Sequence, residues 1–79
     1  MDITHENLGT VNANKVTIGN VDLYFSYNTL VAVDDVVSQN EWSRTTGKLL
    51  NTINPDKKSR VPHAEVLSVA QKRLKEVLG

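Results

Sequence analysis

Seventy-nine residues make one domain at most, and a chain this short buries only about 60–65% of its unfolded surface, so its stability margin is thin. The chain has no cysteine, which excludes disulfides and thiolate metal sites, and its two histidines, His5 and His63, stand far apart with no ligand spacing, so neither a metal nor another cofactor is expected. A formal net charge of zero argues against tight, nonspecific binding to duplex nucleic acid.

The charge is unevenly spread. Residues 1–41 hold Asp2, Glu6, Asp22, Asp34, Asp35 and Glu41 against Lys15 alone. Residues 42–79 hold Arg44, Lys48, Lys57, Lys58, Arg60, Lys72, Arg73 and Lys75 against Asp56, Glu65 and Glu76. Such a dipole fits an anionic partner for the C-terminal half; it fits equally well two halves that attract each other, within or between subunits. The opening "MDITHENLG" is acidic and polar with no apolar core, so no signal peptide is expected. No apolar run approaches the ~20 residues of a membrane span. The expected location is the cytoplasm, without membrane contact. A small domain without disulfides or metal gains missing burial by self-association, so a homo-oligomer is expected.

In chain order, residues 1–14 read either as an edge strand, since Ile3 and His5 alternate with polar neighbours, or as a loose tail. "VTIGNVDLYFSY" shows period-two alternation around Gly19-Asn20, a pair that supplies the positive φ of a hairpin turn. Its second strand is expected to turn Val21, Leu23, Phe25 and Tyr27 to the core and Asp22, Tyr24 and Ser26 away. Tyr27-Asn28-Thr29 reads as a turn, residues 30–33 as a strand, Asp34-Asp35 as a second tight turn, and Val36-Val37 as a short strand. At Ser38 the pattern changes: Ser38-Gln39-Asn40-Glu41 has the form of a capping box and predicts a helix from about 39 to 53, with Trp42, Thr46, Leu49, Leu50 and Ile53 at helical spacing. Pro55 ends it, residues 54–62 form a basic loop, and Pro62 suits the first turn of a second helix. That helix carries the stripe Leu67, Ala70, Leu74, Val77 and Leu78, widened by Val66 and Val69. The expected fold is α+β: a small antiparallel β-meander of three to four strands followed by two α-helices packed on one face, all in one domain over 1–79.

The stretch "EWSRTTGKLL" (41–50) demands an explanation. It ends like a phosphate-binding loop, but Trp42 stands where the first glycine of that motif belongs, and Leu49 where the magnesium-binding hydroxyl belongs. What remains is Thr-Thr-Gly inside a helix, which costs about 2 kcal/mol in propensity relative to alanines. Local rules tend to be broken where something compensates. Ser43 and Gly47, four apart, form a small-residue notch; Arg44 and Lys48 line the next face with Asn51. With Thr45 and Thr46 these residues suit a phosphate or carboxylate group. The plainer reading is that Gly47 lets the helix press on its neighbours while Arg44 and Lys48 are solvated charges. Trp42 reads as core or as a stacking surface, and Tyr24, on the face away from the core, as a helix cover or a binding residue.

Catalysis finds little support. No histidine sits near a serine and an acid in a recognisable arrangement, and Asp34-Asp35 reads as a turn.

"LYFSY" and "VVSQNEWSRTTGKLLN" resemble a family of short, uncharacterised proteins of bacteriophages and prophages, a domain of unknown function. Its members carry a Tyr-Phe-Ser-Tyr strand, matched by Tyr24 to Tyr27, and a Trp-Ser-x-Thr-Thr-Gly-Lys-x-Leu-Asn helix, matched by Trp42 to Asn51. The resemblance covers about residues 8–55; the basic loop and second helix are less characteristic. It implies a phage origin and no known activity or ligand. By analogy, a phage accessory protein of this size antagonises host defence by occupancy and not by catalysis.

Three readings follow. In the first, the protein sequesters a small anionic, cyclic nucleotide-like ligand, with Arg44 and Lys48 on phosphate, Ser43, Thr45, Thr46, Gly47 and Asn51 around it, and Tyr24 or Trp42 stacked on the base. In the second, it inhibits a host defence protein such as a CRISPR nuclease complex, presenting its acidic strands as a nucleic-acid mimic. In the third, it is a nucleic-acid-binding regulator using Lys57, Lys58, Arg60, Lys72, Arg73 and Lys75. The hydroxyl-rich, basic motif favours the first.

Overall fold

A computed structural model of the chain describes residues 2–9, 12–40, 42 and 44–79, with Arg44, Thr45 and Lys57 described in their backbone only. Five strands come first: β1 (Ile3–Asn7), β2 (Ala13–Ile18), β3 (Val21–Ser26), β4 (Thr29–Val33) and β5 (Val36–Val37). They are followed by α1 (Arg44–Ile53), a single 3-10 turn (Lys57–Ser59) and α2 (His63–Leu78). The sheet is an antiparallel meander in sequence order, β1-β2-β3-β4-β5. The expected α+β fold, an antiparallel sheet followed by two helices, is thus the observed one, with five strands in place of three or four.

Three two-residue turns connect β2 through β5, and each carries a positive φ at its first residue: Gly19 (62°), Tyr27 (57°) and Asp34 (51°). That sign suits the right-handed twist of a tight hairpin. Glycine adopts it without cost, whereas for a β-carbon-bearing residue it costs about 1–2 kcal/mol. Asp34 is compensated locally. Its Oδ1 accepts from Asp22 N at 2.9 Å, its Oδ2 from Arg73 Nη1 of α2, and its own N donates to Asp22 O. Tyr27 has the backbone bond from its N to Asn12 O, at 2.6 Å.

The register places alternate side chains on opposite faces, and each face has its own core. Val21, Leu23 and Val33 pack with Val66 and Ala70 of α2, flanked by Val16, Ile18, Phe25, Leu30, Val36 and Val69. Ala13, Val31, Ala32 and Val37 pack with Leu49 and Leu50 of α1, flanked by Leu8, Tyr24 and Ile53. The two helices therefore divide between the faces instead of sharing one. A bulge sets this up. Tyr24 pairs with Ala32 and Phe25 with Leu30, so Val31 is the extra residue in β4, and the adjacent Val31 and Ala32 are both fully buried in the α1 core.

The predicted helix start at Ser38 is corrected. Ser38 forms a parallel bridge with Val61, and its Oγ donates to Gln39 O, so it extends the sheet instead of opening the helix. The helix begins at Arg44 instead; Glu41, the far end of the predicted box, lies outside the described residues. Tyr27, expected in the core, is 56% exposed because the turn interrupts the alternation one residue earlier. Leu67 and Leu78 of the predicted α2 stripe are also exposed, while Val66 takes the most buried place. Residues 3–7 resolve the open reading of the N-terminus as an edge strand, exposed along all five positions. Among the described residues no helix is long and apolar enough to cross a membrane.

Candidate functional site

α1 is seated on the sheet by three features. Leu49, Leu50 and Ile53 meet the α1-side core. Thr46, 3% exposed, shares a buried hydrogen bond with Ser26 of β3, the two hydroxyl oxygens 2.9 Å apart. At the far end, Arg60 Nη2 donates to Asn51 Oδ1 (2.7 Å) and to Asn54 O (3.4 Å). A cation there meets the backbone carbonyl just past the last turn and complements the negative end of the helix dipole.

The two flanks of α1 differ. On one, Gly47 is covered: a β-carbon there would come within 2.8 Å of Asn40 Nδ2, so the glycine makes room for the Asn40 side chain. Asn40 Oδ1 in turn accepts from Trp42 N at 3.1 Å. Trp42, 40% exposed, sets its ring edge to face against His63, centroids 5.1 Å apart, and His63 Nε2 lies 2.9 Å from Leu30 O. This flank is a brace that ties the β5–α1 connection to both helices.

The other flank opens on a cavity of about 210 Å³. Ala13, Ser26 and Leu49 are its buried lining, and Leu8, Asn12 and Thr52 surround them. Lys48 and Tyr27, both exposed, complete the lining from opposite sides, one from the helix and one from the β3–β4 turn. The Leu8 N bond to Ala13 O (2.8 Å) and the Tyr27 N bond to Asn12 O hold the surrounding turns together. Thr52 Oγ1 donates to Lys48 O at 3.0 Å, which fixes its hydroxyl against the helix. Most of the lining is apolar, with one ammonium and one phenol ring added; such a space takes a hydrophobic ring and leaves an anionic group at the lysine.

The nine residues singled out from sequence are not gathered at one point. Lys48 lines the cavity. Thr46 is beside it but buried, with its hydroxyl bonded to Ser26. Gly47 faces the brace and Trp42 belongs to it, while Asn51 accepts from Arg60 at the far end of α1. Tyr24 is half-buried at the border of the α1 core, with Lys15 Nζ 5.7 Å from its ring centre. Ser43 and the side chains of Arg44 and Thr45 lie outside the described residues. Sequence reasoning missed Tyr27, Leu8, Asn12 and Thr52 as cavity residues. The signal for Tyr27 was its place before Asn28 at a two-residue turn, where a bulky side chain is out of keeping. The basic residues of the nucleic-acid reading are also dispersed: Arg60 clasps the end of α1 and Arg73 is paired with Asp34.

No curated protein and no solved structure matches the chain. A family model does, over residues 3–68, which takes in the whole sheet, α1 and the first part of α2: the chain belongs to the family of unknown function DUF8033.

Proposed function

We propose that this protein is a non-enzymatic binding protein that sequesters a small anionic ligand bearing a flat ring, a cyclic nucleotide being the model. The ring enters the cavity between α1 and the β3–β4 turn, and the anion meets Lys48. In the phage setting that the Tyr24–Tyr27 and Trp42–Asn51 motifs suggest, such sequestration would antagonise a host defence signal. The protein would act in the host cytoplasm, as a homo-oligomer.

The observation that carries this reading is Tyr27. An aromatic residue held at φ 57°, exposed, beside an apolar cavity with a lysine in its lining, is out of place on stability grounds alone. Strain of this kind, on the order of 1–3 kcal/mol, clusters where a side chain must be presented to a ligand. The volume points to the size of the guest: pockets for drug-sized ligands run from ~300 to ~1,000 Å³, so a cavity of about 210 Å³ suits one ring and not a whole dinucleotide. The described lining offers a lysine and a phenol but no carboxylate or imidazole to pair with them, which favours occupancy over general acid–base chemistry.

Calorimetry of the full chain against cyclic mononucleotides, cyclic dinucleotides and inorganic phosphate tests it. The expected result is heat with a ring-bearing nucleotide, none with phosphate alone, and at least tenfold weaker binding for Lys48→Ala. No heat with any nucleotide contradicts the reading. Salt-sensitive retention on duplex DNA at physiological ionic strength would support the nucleic-acid reading in its place.

A further inference from the structure

The two edges of the sheet are treated differently. The β5 edge is closed by the chain itself: Val61 N donates to Val37 O (3.0 Å) and Gln39 N to Val61 O (2.8 Å), so the segment before α2 runs along it. Among the described residues no strand or bridge lies on the outer side of β1. All five residues of β1 are exposed, none joins either core, and Ile3 is 67% exposed.

The backbone groups on that edge can be assigned. Leu8 N bonds to Ala13 O and Gly19 N to Asp2 O. Residue pairs in an antiparallel ladder alternate between bonded and non-bonded, so Asp2, Thr4, Glu6 and Leu8 address β2, and Ile3 and His5 point their N–H and C=O groups outward. The His5 ring does not cover them, because its Nε2 reaches back across the sheet to Asn14 Oδ1 at 2.8 Å. Edges of folded proteins are ordinarily blunted by proline, lysine, a bulge or a covering element. The sequence of β1, Ile-Thr-His-Glu-Asn, has neither proline nor lysine, and its pairing with β2 runs without a register shift.

We propose that β1 is the seam of a homodimer, two copies pairing antiparallel about a two-fold axis at His5 to form one continuous sheet. Full overlap of Ile3–Asn7 centres the pair on His5, and the charges disfavour the two neighbouring centres. Centred on Thr4, the pairing sets Asp2 directly opposite Glu6; centred on Glu6, it sets Glu6 against its own copy. Like charges directly opposite destabilise a strand pair. Centred on His5, Thr4 faces Glu6 of the second copy and Ile3 faces its Asn7, with no two acids opposed, and the outward groups of His5 meet their own copies in mutual hydrogen bonds. A second copy is the occupant because the strand satisfies itself over its full length, and because a domain of this size lacks burial of its own. The proposal is independent of the ligand cavity.

Sedimentation equilibrium of the full chain at micromolar concentration is expected to give twice the chain mass. His5→Pro removes an outward backbone donor and no backbone bond to β2, losing only the exposed ring contact to Asn14 that His5→Ala loses too, and Ile3→Lys places a charge on the seam. Both are expected to be monomers with the native circular dichroism spectrum, whereas His5→Ala remains a dimer. The register has its own readout, since the chain has no cysteine. A mixture of Thr4→Cys and Glu6→Cys chains is expected to cross-link on oxidation, and neither alone. A monomeric native chain overturns the proposal, as does a dimer that both His5→Pro and Ile3→Lys leave intact. Cross-linking of Thr4→Cys alone overturns the register.

Discussion

The side-chain amide of Asn40 stands 2.8 Å from where a β-carbon on Gly47 would be. The glycine inside α1 is therefore explained by a contact within the protein: it lets the β5–α1 connection lie against the helix, where Asn40 also holds Trp42 N. Opposing effects set the outcome of Gly47→Ala. Helix propensity gains about 1 kcal/mol, and displacing Asn40 forfeits a bond of about 0.5–1.5 kcal/mol. The expected net change in the native background is under ~1 kcal/mol. In an Asn40→Ala background the same substitution should stabilise by about 1 kcal/mol. Urea unfolding of the four proteins in this cycle measures the difference; equal effects in both backgrounds would show that the two side chains do not interact.

The Ser26–Thr46 pair predicts a second non-additive cycle. Thr46→Val leaves the Ser26 hydroxyl buried without that partner and should cost about 1–3 kcal/mol. Adding Ser26→Ala removes the stranded hydroxyl, so the double variant should be more stable than Thr46→Val alone, as read by thermal or urea unfolding.

At the opposite end of the sheet, Asp34 is expected to matter more than the arginine it holds. Arg73 and Asp34 are each about a third exposed, so the ion pair is screened and Arg73→Ala should cost less than ~1 kcal/mol. Asp34→Ala loses that pair, loses the acceptor for Asp22 N and leaves alanine at φ 51°, for about 2–4 kcal/mol in all. Asp34→Asn tolerates the backbone and should fall between the two. Unfolding free energies in low and high salt check the order: salt should remove most of the Arg73→Ala effect and only the smaller, ion-pair share of the Asp34→Ala effect.

Much of the fold was legible because it rests on local chemistry. The alternation from Val16 to Phe25 around Gly19-Asn20 gave the central hairpin, and the spacing from Val66 to Val77 gave α2. The rest depends on long-range relations. Ser38 has the spacing of a helix cap, but Val61, far along the chain, claims it for the sheet. Nothing in Leu49-Leu50 tells which face of the sheet they will cover; the extra residue Val31 in β4 helps make the second core, and a bulge has no fixed sequence sign. For the site, Lys48 was legible as an exposed cation on α1. Its neighbours were not, because Leu8, Asn12 and Tyr27 come from two separate turns that only the strand pairing brings to the helix.

Tyr27 should show opposite effects on stability and on binding. Tyr27→Asn puts a residue at φ 57° that adopts it more readily, for a gain of up to about 1 kcal/mol. The same change removes the ring at the cavity and should weaken nucleotide binding at least tenfold. Thermal unfolding and calorimetry on the same preparation check both signs.

Whether a guest enters between α1 and the β3–β4 turn is read residue by residue from amide chemical-shift mapping during a cyclic nucleotide titration. Saturable shifts are expected at Leu8, Ala13, Tyr27, Leu49 and Thr52, with Asn40, Gly47 and Asn51 unmoved. Shifts confined to the Asn40–Gly47 flank, or none at saturating nucleotide, would contradict it.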